Sequence, residues 1–266
     1  MNNQAHENIR LPELKNRIIL LGASNLTLSL RLVIHLMQQR LGGPSEILVA
    51  AGHGRAYGMF SQVLWRGLPG IASCGLWAQL SAAEPRPTYA LLMDIGNDIL
   101  YGSTPEQILR SVEWCIAQLQ NQSAHIVVTN LPMASIESLS ERRYTFFRNI
   151  FYPSCQLPRN ETVSRARAVH AGLMDMASRL HFKLYEQEPI WFSLDSIHVN
   201  YWQREAFYRD VLHQFPHPSE QPEGEQKFLL TWRRRPEFAY KTVLGREVNC
   251  RQPSGQLADR SSICKC

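Results

Sequence analysis

The chain has 266 residues, 44% of them hydrophobic, with 28 Lys and Arg against 23 Asp and Glu and a formal net charge of +5. That length allows one substantial core. Charges of both signs alternate through most of the chain, and three of the five excess positive charges fall in residues 217–266, so composition gives no reason to propose a nucleic-acid substrate.

In chain order, continuous apolar runs over 17–22, 46–51, 88–95, 125–130 and 182–187 read as strands buried on both faces of a parallel sheet. Helical spacing covers about 25–41, 105–120, 161–181 and 202–214. The second of these starts at Ser103-Thr104-Pro105-Glu106, which offers a cap and a proline in the first turn. Strands alternating with helices predict an α/β doubly wound sheet. Residues 131–160 break the alternation. Leu131-Pro132-Met133 is followed by polar residues and an aromatic cluster of Tyr144, Phe146, Phe147, Phe151 and Tyr152, which reads as an excursion that either shapes a pocket or packs on the sheet. Prolines at 216, 218 and 222 with Glu220, Glu223 and Glu225 mark a break. Beyond it, Lys227–Trp232 is one short element, and Arg233–Arg235 and 249–266 are expected to be solvated or disordered. The organisation predicted is a 1–14 extension, a 15–215 domain and a basic, partly disordered tail over 216–266.

Several apolar runs end in residues suited to acyl transfer. In a parallel sheet these ends share one edge, where ligands bind. Ser24 lies where the first strand turns into the first helix, near unpaired N–H groups and the positive end of the helix dipole; it reads as a nucleophile or as an ordinary cap. Asp195-Ser-Ile-His198 supplies an imidazole and a carboxylate able to orient it, or a structural histidine. Asn97 and Gly54 would bring an amide and an exposed backbone N–H to an oxyanion hole, with Gly52 as the alternative to Gly54; all three also suit turns. His53 and Trp191 are candidate substrate contacts. His53, His198 and Asp195 form at most a weak metal set, and no metal is expected. His35 and His170 fall within helical patterns and read as structural or exposed.

These residues carry a resemblance. The chain is similar to the SGNH (GDSL-like) hydrolases, named for Ser, Gly, Asn and His in four separated blocks. Gly22-Ala23-Ser24 resembles the first block, Gly54 the second, Gly96-Asn97-Asp98 the third and Asp195-Ser196-Ile197-His198 the last, over roughly residues 15–215. The resemblance implies a flavodoxin-like three-layer α/β/α fold, here with a mostly parallel five-stranded sheet. It also implies Ser24 as nucleophile, His198 as base, Asp195 as its orienting acid, and an oxyanion hole from the Ser24 N–H, Gly54 N–H and Asn97 side chain. The reaction implied is hydrolysis of a small-molecule ester or thioester through an acyl-serine, without metal or organic cofactor. Two positions depart from the pattern. Ala23 replaces the aspartate usual before the serine, and Ile95 stands where a glycine often precedes the asparagine by two. Loss of that aspartate weakens the expected support of the nucleophile loop, which keeps a second reading open: a non-catalytic ligand-binding protein on the same fold.

The six cysteines are too scattered for a disulfide framework, and Cys264-Lys-Cys266 does not match a prenylation signal. Met1–Glu7 lacks the basic and apolar regions of a secretory signal, and no apolar run approaches the roughly 20 residues that span a bilayer. The expectation is a cytoplasmic protein with no membrane span; oligomeric state is not legible.

Overall fold

In the computed structural model, which describes residues 13–216 and 231–266, the apolar runs form the centre of one sheet. The strands of the protein in chain order begin with β1 (Asn16–Gly22) and β2 (Ser45–Ala51). The short pair β3 (Ser61–Val63) and β4 (Arg66–Leu68) precedes β5 (Thr88–Leu92), β6 (His125–Thr129) and β7 (Lys183–Tyr185). Residues after 230 add β8 (Trp232–Arg234), β9 (Tyr240–Val243), β10 (Arg246–Asn249), β11 (Gly255–Leu257) and β12 (Ser262–Lys265). The helices are α1 (Ser24–Leu41), α2 (Leu76–Ser81), α3 (Asn97–Leu100), α4 (Pro105–Gln120), α5 (Met133–Ser138), α6 (Glu141–Phe151), α7 (Arg159–Leu180) and α8 (Arg204–Leu212).

Strand residues alternate between two cores because successive side chains on a strand point to opposite faces. Ile19, Leu21, Leu48, Ala90, Leu92 and Val128 pack against α4 and α7 through Ile108, Val112, Ile116, Val169 and Leu173. Ile18, Leu20, Ile47, Val49, Leu91 and Val127 pack against α1 and α8 through Leu26, Val33, Met37, Phe207 and Val211. Both faces of the sheet are therefore covered, and the architecture is three-layer α/β/α. The start read at Thr104 is a full capping box, with its hydroxyl accepting from the Gln107 N–H at 3.4 Å and the Gln107 side chain accepting from the Thr104 N–H at 2.9 Å.

The main sheet has eight strands rather than five, in the order β7-β6-β5-β1-β2-β12-β11-β8. β12 runs parallel to β2, pairing Ile263 with Ile47 and Cys264 with Leu48, while β11 pairs antiparallel with both β12 and β8. This corrects the expected disorder of 249–266. The edge of β2 would otherwise present unpaired backbone groups, and β12 satisfies them while burying Ile263, Cys264 and Cys266. Three- and four-residue strands flanked by Ser, Arg and Lys carry too short a pattern to read as sheet. Likewise β9 and β10 join β3 and β4 in a second, four-stranded sheet ordered β10-β9-β4-β3. Arg233–Arg235 is exposed, as expected. Residues 1–12 of the expected extension and most of the Lys227–Trp232 element lie outside the described residues.

Chain order decides where a site can form. From β1 the chain moves to β2 on one side, then returns to β5 on the other, so β1 and β5 flank the topological switch point. The crevice outside the carboxyl ends of such strands is where ligands bind in open α/β sheets. Ser24 follows β1, and Asp94 and Asn97 follow β5.

Candidate active site

Ser24 opens α1, so its N–H sits in the first turn, where no intrahelical acceptor exists. Its hydroxyl lies 2.9 Å from His198 Nε2, and His198 Nδ1 lies 2.6 Å from Asp195 Oδ2. The second Asp195 oxygen accepts the His198 and Ile197 N–H groups at 2.9 and 3.2 Å. Burial alone would raise the Asp195 carboxyl, but hydrogen bonds from the His198 ring, the His198 N–H and the Ile197 N–H outweigh it and hold the group below its ordinary value. An ionised Asp195 fixes the proton on Nδ1 and turns the Nε2 lone pair toward the serine hydroxyl, which donates to it. Residues 174 positions apart have become a continuous relay.

Two residues that sequence reasoning left without a role hold this relay in place. Asp94 has φ 62°, a left-handed conformation that Asp tolerates better than most residues. There its carboxylate turns back onto the start of α1, accepting the Ala23 N–H at 2.8 Å, the Leu26 N–H at 3.4 Å and the Asn25 side-chain N–H at 2.8 Å. A carboxylate at a helix N-terminus is favoured by the macrodipole. Asn25 in turn donates to the Ile197 carbonyl at 2.9 Å and accepts the Val199 N–H at 2.9 Å. It thereby ties the serine loop to both neighbours of His198. The Tyr208 hydroxyl closes the arrangement by donating to the Asn25 carbonyl at 2.9 Å. The support expected from an aspartate at position 23 comes instead from Asp94. Its one sequence signal is an acid directly after the apolar run Tyr89–Met93.

The oxyanion-hole candidates sit on a braced frame. Gly54 has φ 64°, and a Cβ there would meet Val63 Cγ2 at 2.5 Å, so only glycine fits. Its carbonyl accepts the Tyr101 hydroxyl at 2.7 Å, while its N–H has no acceptor among the described residues. Asn97 spends one side-chain N–H on the Arg55 carbonyl at 3.3 Å. The neighbouring Asp98, 1% exposed, accepts the Tyr57 and Gly58 N–H groups at 2.7 and 2.9 Å, which ties the 52–58 loop to α3. Burial pushes the Asp98 carboxyl up to about 6 against these donors. A Cβ on Gly52 would meet Leu68 Cδ1 at 2.3 Å, a packing reason for that glycine.

His53 is half-buried beside Gly54, and its ring is lowered from its ordinary value by burial and then by the charges of Arg66, His198 and Lys265. Trp191 packs edge-on against Phe207 with ring centroids 6.1 Å apart, and its neighbour Phe192 lines the cavity described next.

That cavity is lined both by Ser24 and by residues of the 131–160 excursion. Its polar lining includes Ser24, Asp94, Asn97 and Asp195, and its apolar walls are Ile95, Ile99, Leu131, Ile136, Leu139, Phe147, Phe151, Val163 and Ala166. Of the two readings of the aromatic cluster, the pocket is the one seen: Tyr144, Phe147, Phe151 and Tyr152 line the cavity, and the buried Tyr144 places its hydroxyl against the Leu157 carbonyl and, at 2.7 Å, the Thr162 hydroxyl of α7. Arg148 and Arg159 also line it, with their guanidinium groups donating to the carbonyls of Leu157, Leu139 and Glu137. A mostly apolar cavity with a few polar groups in its lining is the usual form of a small-molecule site. Among the described residues, no group of three or more His, Cys, Asp or Glu is placed to hold a metal ion, and no helix is long and apolar enough to cross a membrane.

No family profile and no curated protein matches the chain. Solved structures do. One, at 14% identity, aligns over 75% of this chain and 96% of its own with a TM-score of 0.52, which places the two in one fold. The M. smegmatis aryl esterase is 18% identical over 74% of this chain and 95% of its own, with a TM-score of 0.48. A member of the lipolytic G-D-S-L family from Veillonella parvula is 13% identical over 74% and 94%, with a TM-score of 0.44. Similarity at this level concerns architecture alone.

Proposed function

We propose that this chain is a serine hydrolase of the SGNH type that cleaves a carboxylic ester or thioester whose acyl group lies in the apolar cavity. The observation that carries the reading is the hydrogen-bonded series Ser24 Oγ, His198 and Asp195, at 2.9 and 2.6 Å. In that arrangement His198 Nε2 takes the hydroxyl proton as Ser24 attacks the acyl carbonyl, and Asp195 stabilises the imidazolium that forms. The imidazolium then protonates the leaving alcohol or thiol. Water, deprotonated by the same nitrogen, releases the acid from the acyl-serine.

Charge on the carbonyl oxygen would be met by the Ser24 N–H, the Gly54 N–H and the Asn97 side chain. The first two have no acceptor among the described residues, which leaves them available. The non-catalytic reading drew on Ala23. Asp94 takes over the support of the serine loop, and that weighs against it.

Activity-based labelling tests the reading directly. A fluorophosphonate is expected to modify the protein stoichiometrically, with the label mapping to the Ser24 peptide, and Ser24→Ala is expected to abolish both labelling and turnover of p-nitrophenyl esters. No Ser24 label, together with inactivity across a panel of acyl esters, would favour the binding-protein alternative.

A further inference from the structure

α6 faces two ways. Its inner side brings Phe147 and Phe151 to the cavity, with the Phe151 ring 5.4 Å from the His198 ring. Its outer side leaves Phe146 60% and Ile150 55% exposed, and Phe151 itself is 40% exposed. Positions 146, 147, 150 and 151 fall on one stripe of the helix. Ring contacts join the stripe, Phe146 to Phe147 at 5.3 Å and Phe147 to Phe151 at 6.1 Å. The loop carrying the other half of the relay adds Leu194, 78% exposed and next to Asp195. Single exposed apolar side chains are ordinary, but an exposed apolar stripe joined to the lining of a cavity marks an interaction surface.

The charges on the same helix narrow the partner. α6 carries Arg142, Arg143 and Arg148 against Glu141 alone. Arg142 and Arg143 are exposed; the Arg143 backbone N–H donates to the capping Ser140 hydroxyl, but neither guanidinium has an ion-pair or hydrogen-bond partner among the described residues. Both stand in the first turn, where cations oppose the helix dipole. Their placement therefore does nothing for the helix. A cationic flank beside an aromatic stripe is the composition of helices that lie in the headgroup plane of a bilayer.

We infer that α6 docks the mouth of the cavity onto an anionic lipid surface, with Phe146 and Ile150 seated among acyl chains and Arg142 and Arg143 against the headgroups. Eleven residues make a small element, so the docking is reversible and depends on anionic lipid. The inference concerns the surface alone and holds whether or not Ser24 is the nucleophile.

The test is co-sedimentation of the full chain with phosphatidylcholine vesicles, with and without about one-third phosphatidylglycerol. The wild-type protein is expected to partition onto the phosphatidylglycerol vesicles and to be released by salt. Phe146→Ser/Ile150→Ser should lower that partitioning at least ~10-fold, since two large apolar side chains no longer leave water. Arg142→Gln/Arg143→Gln should remove the preference for phosphatidylglycerol. Both variants should keep the wild-type circular dichroism spectrum and the wild-type rate on a soluble short-chain ester. Failure of the wild type to sediment, or equal partitioning by the Phe146/Ile150 variant, overturns the inference. So does a wild-type dimer that the same variant converts to monomer, which would make the stripe a contact between protein copies.

Discussion

Asp94→Asn isolates the support of the serine loop with little other disturbance. Asparagine accepts the left-handed backbone at φ 62° as readily as aspartate does, so the strand end is spared. What changes is the acceptor count. The carboxylate serves the Ala23 N–H, the Leu26 N–H and the Asn25 side-chain N–H, from two oxygens on opposite sides of the group. An amide keeps one oxygen, so its NH₂ must face either the Ala23 N–H or the Asn25 amide, donor against donor. A hydrogen bond to a charged group contributes about 1.5–3 kcal/mol, and an unsatisfied buried donor costs about 1–3 kcal/mol. One bond lost and the other weakened give a destabilisation of about 2–4 kcal/mol, allowing for partial hydration at a half-exposed site. Ser24 should also shift out of its 2.9 Å contact with His198. A displacement near 1 Å at a reacting centre costs on the order of 100-fold, so kcat on a p-nitrophenyl ester should fall about 10- to 100-fold with KM little changed. Urea unfolding followed by tryptophan fluorescence gives the first number and steady-state kinetics the second. A variant within about 0.5 kcal/mol of wild type and with unchanged kcat would refute the supporting role of Asp94.

Three further outcomes are expected. Asn97→Ala should leave the fold intact and lower kcat by roughly 100- to 1000-fold, the usual effect of deleting one oxyanion donor; unchanged turnover would remove Asn97 from the site. Asp98, held at about 6 against an ordinary 3.8, is a raised carboxyl, so its contribution to stability is complete below the unfolded value and is lost as pH rises to about 6. Between about pH 4 and 6 the wild type should therefore lose up to about 3 kcal/mol relative to Asp98→Asn, and parallel pH profiles of the urea midpoint would count against this. Ala166→Leu places extra methylene groups in the cavity wall, so the preference for an octanoyl over an acetyl ester should drop about 4-fold per acyl methylene displaced, at ~0.8 kcal/mol each, whereas an unchanged ratio would put the acyl chain elsewhere.

The centre of the fold was legible because its strands are buried on both faces. β1 is buried at all seven positions, and its stretch Ile18–Leu21 leaves a continuous apolar signal that solvent-facing residues do not interrupt. α4 announced itself by its cap and by Ile108, Val112, Cys115, Ile116 and Leu119, all of which are buried. The strands after residue 230 left no such trace. β12 contributes two buried residues, Ile263 and Cys264, between polar ends, and its sheet partner β2 lies more than two hundred residues away. What makes Ser262–Lys265 a strand is the open edge of β2, information that local periodicity does not carry. β3 and β4 are hidden for the same reason: three residues each, paired with one another and, through β4, with β9.

The site shows the complementary limit. That Ser24, Asp195 and His198 would meet could be read from the chain, because the proposed chemistry restricts residue type and the topology restricts position. Ala23 could not be interpreted that way, since a missing carboxylate is a deficit only if no other segment can deliver one to the same N–H groups. The sheet order makes β1 and β5 neighbours, with Leu21 in register with Leu92, so the residue two beyond Leu92 arrives beside the turn two beyond Leu21. A left-handed backbone at Asp94 then aims its carboxylate across the gap. The position before the serine is thereby relieved of its charge and can take the buried methyl group of Ala23, which is 0% exposed. Asp94→Ala should be worse than Asp94→Asn, because alanine loses both acceptors and pays the left-handed conformation as well. An aspartate restored at position 23 should not rescue it: with no room left at that site, it would bury a charge whose partners lie around residue 94.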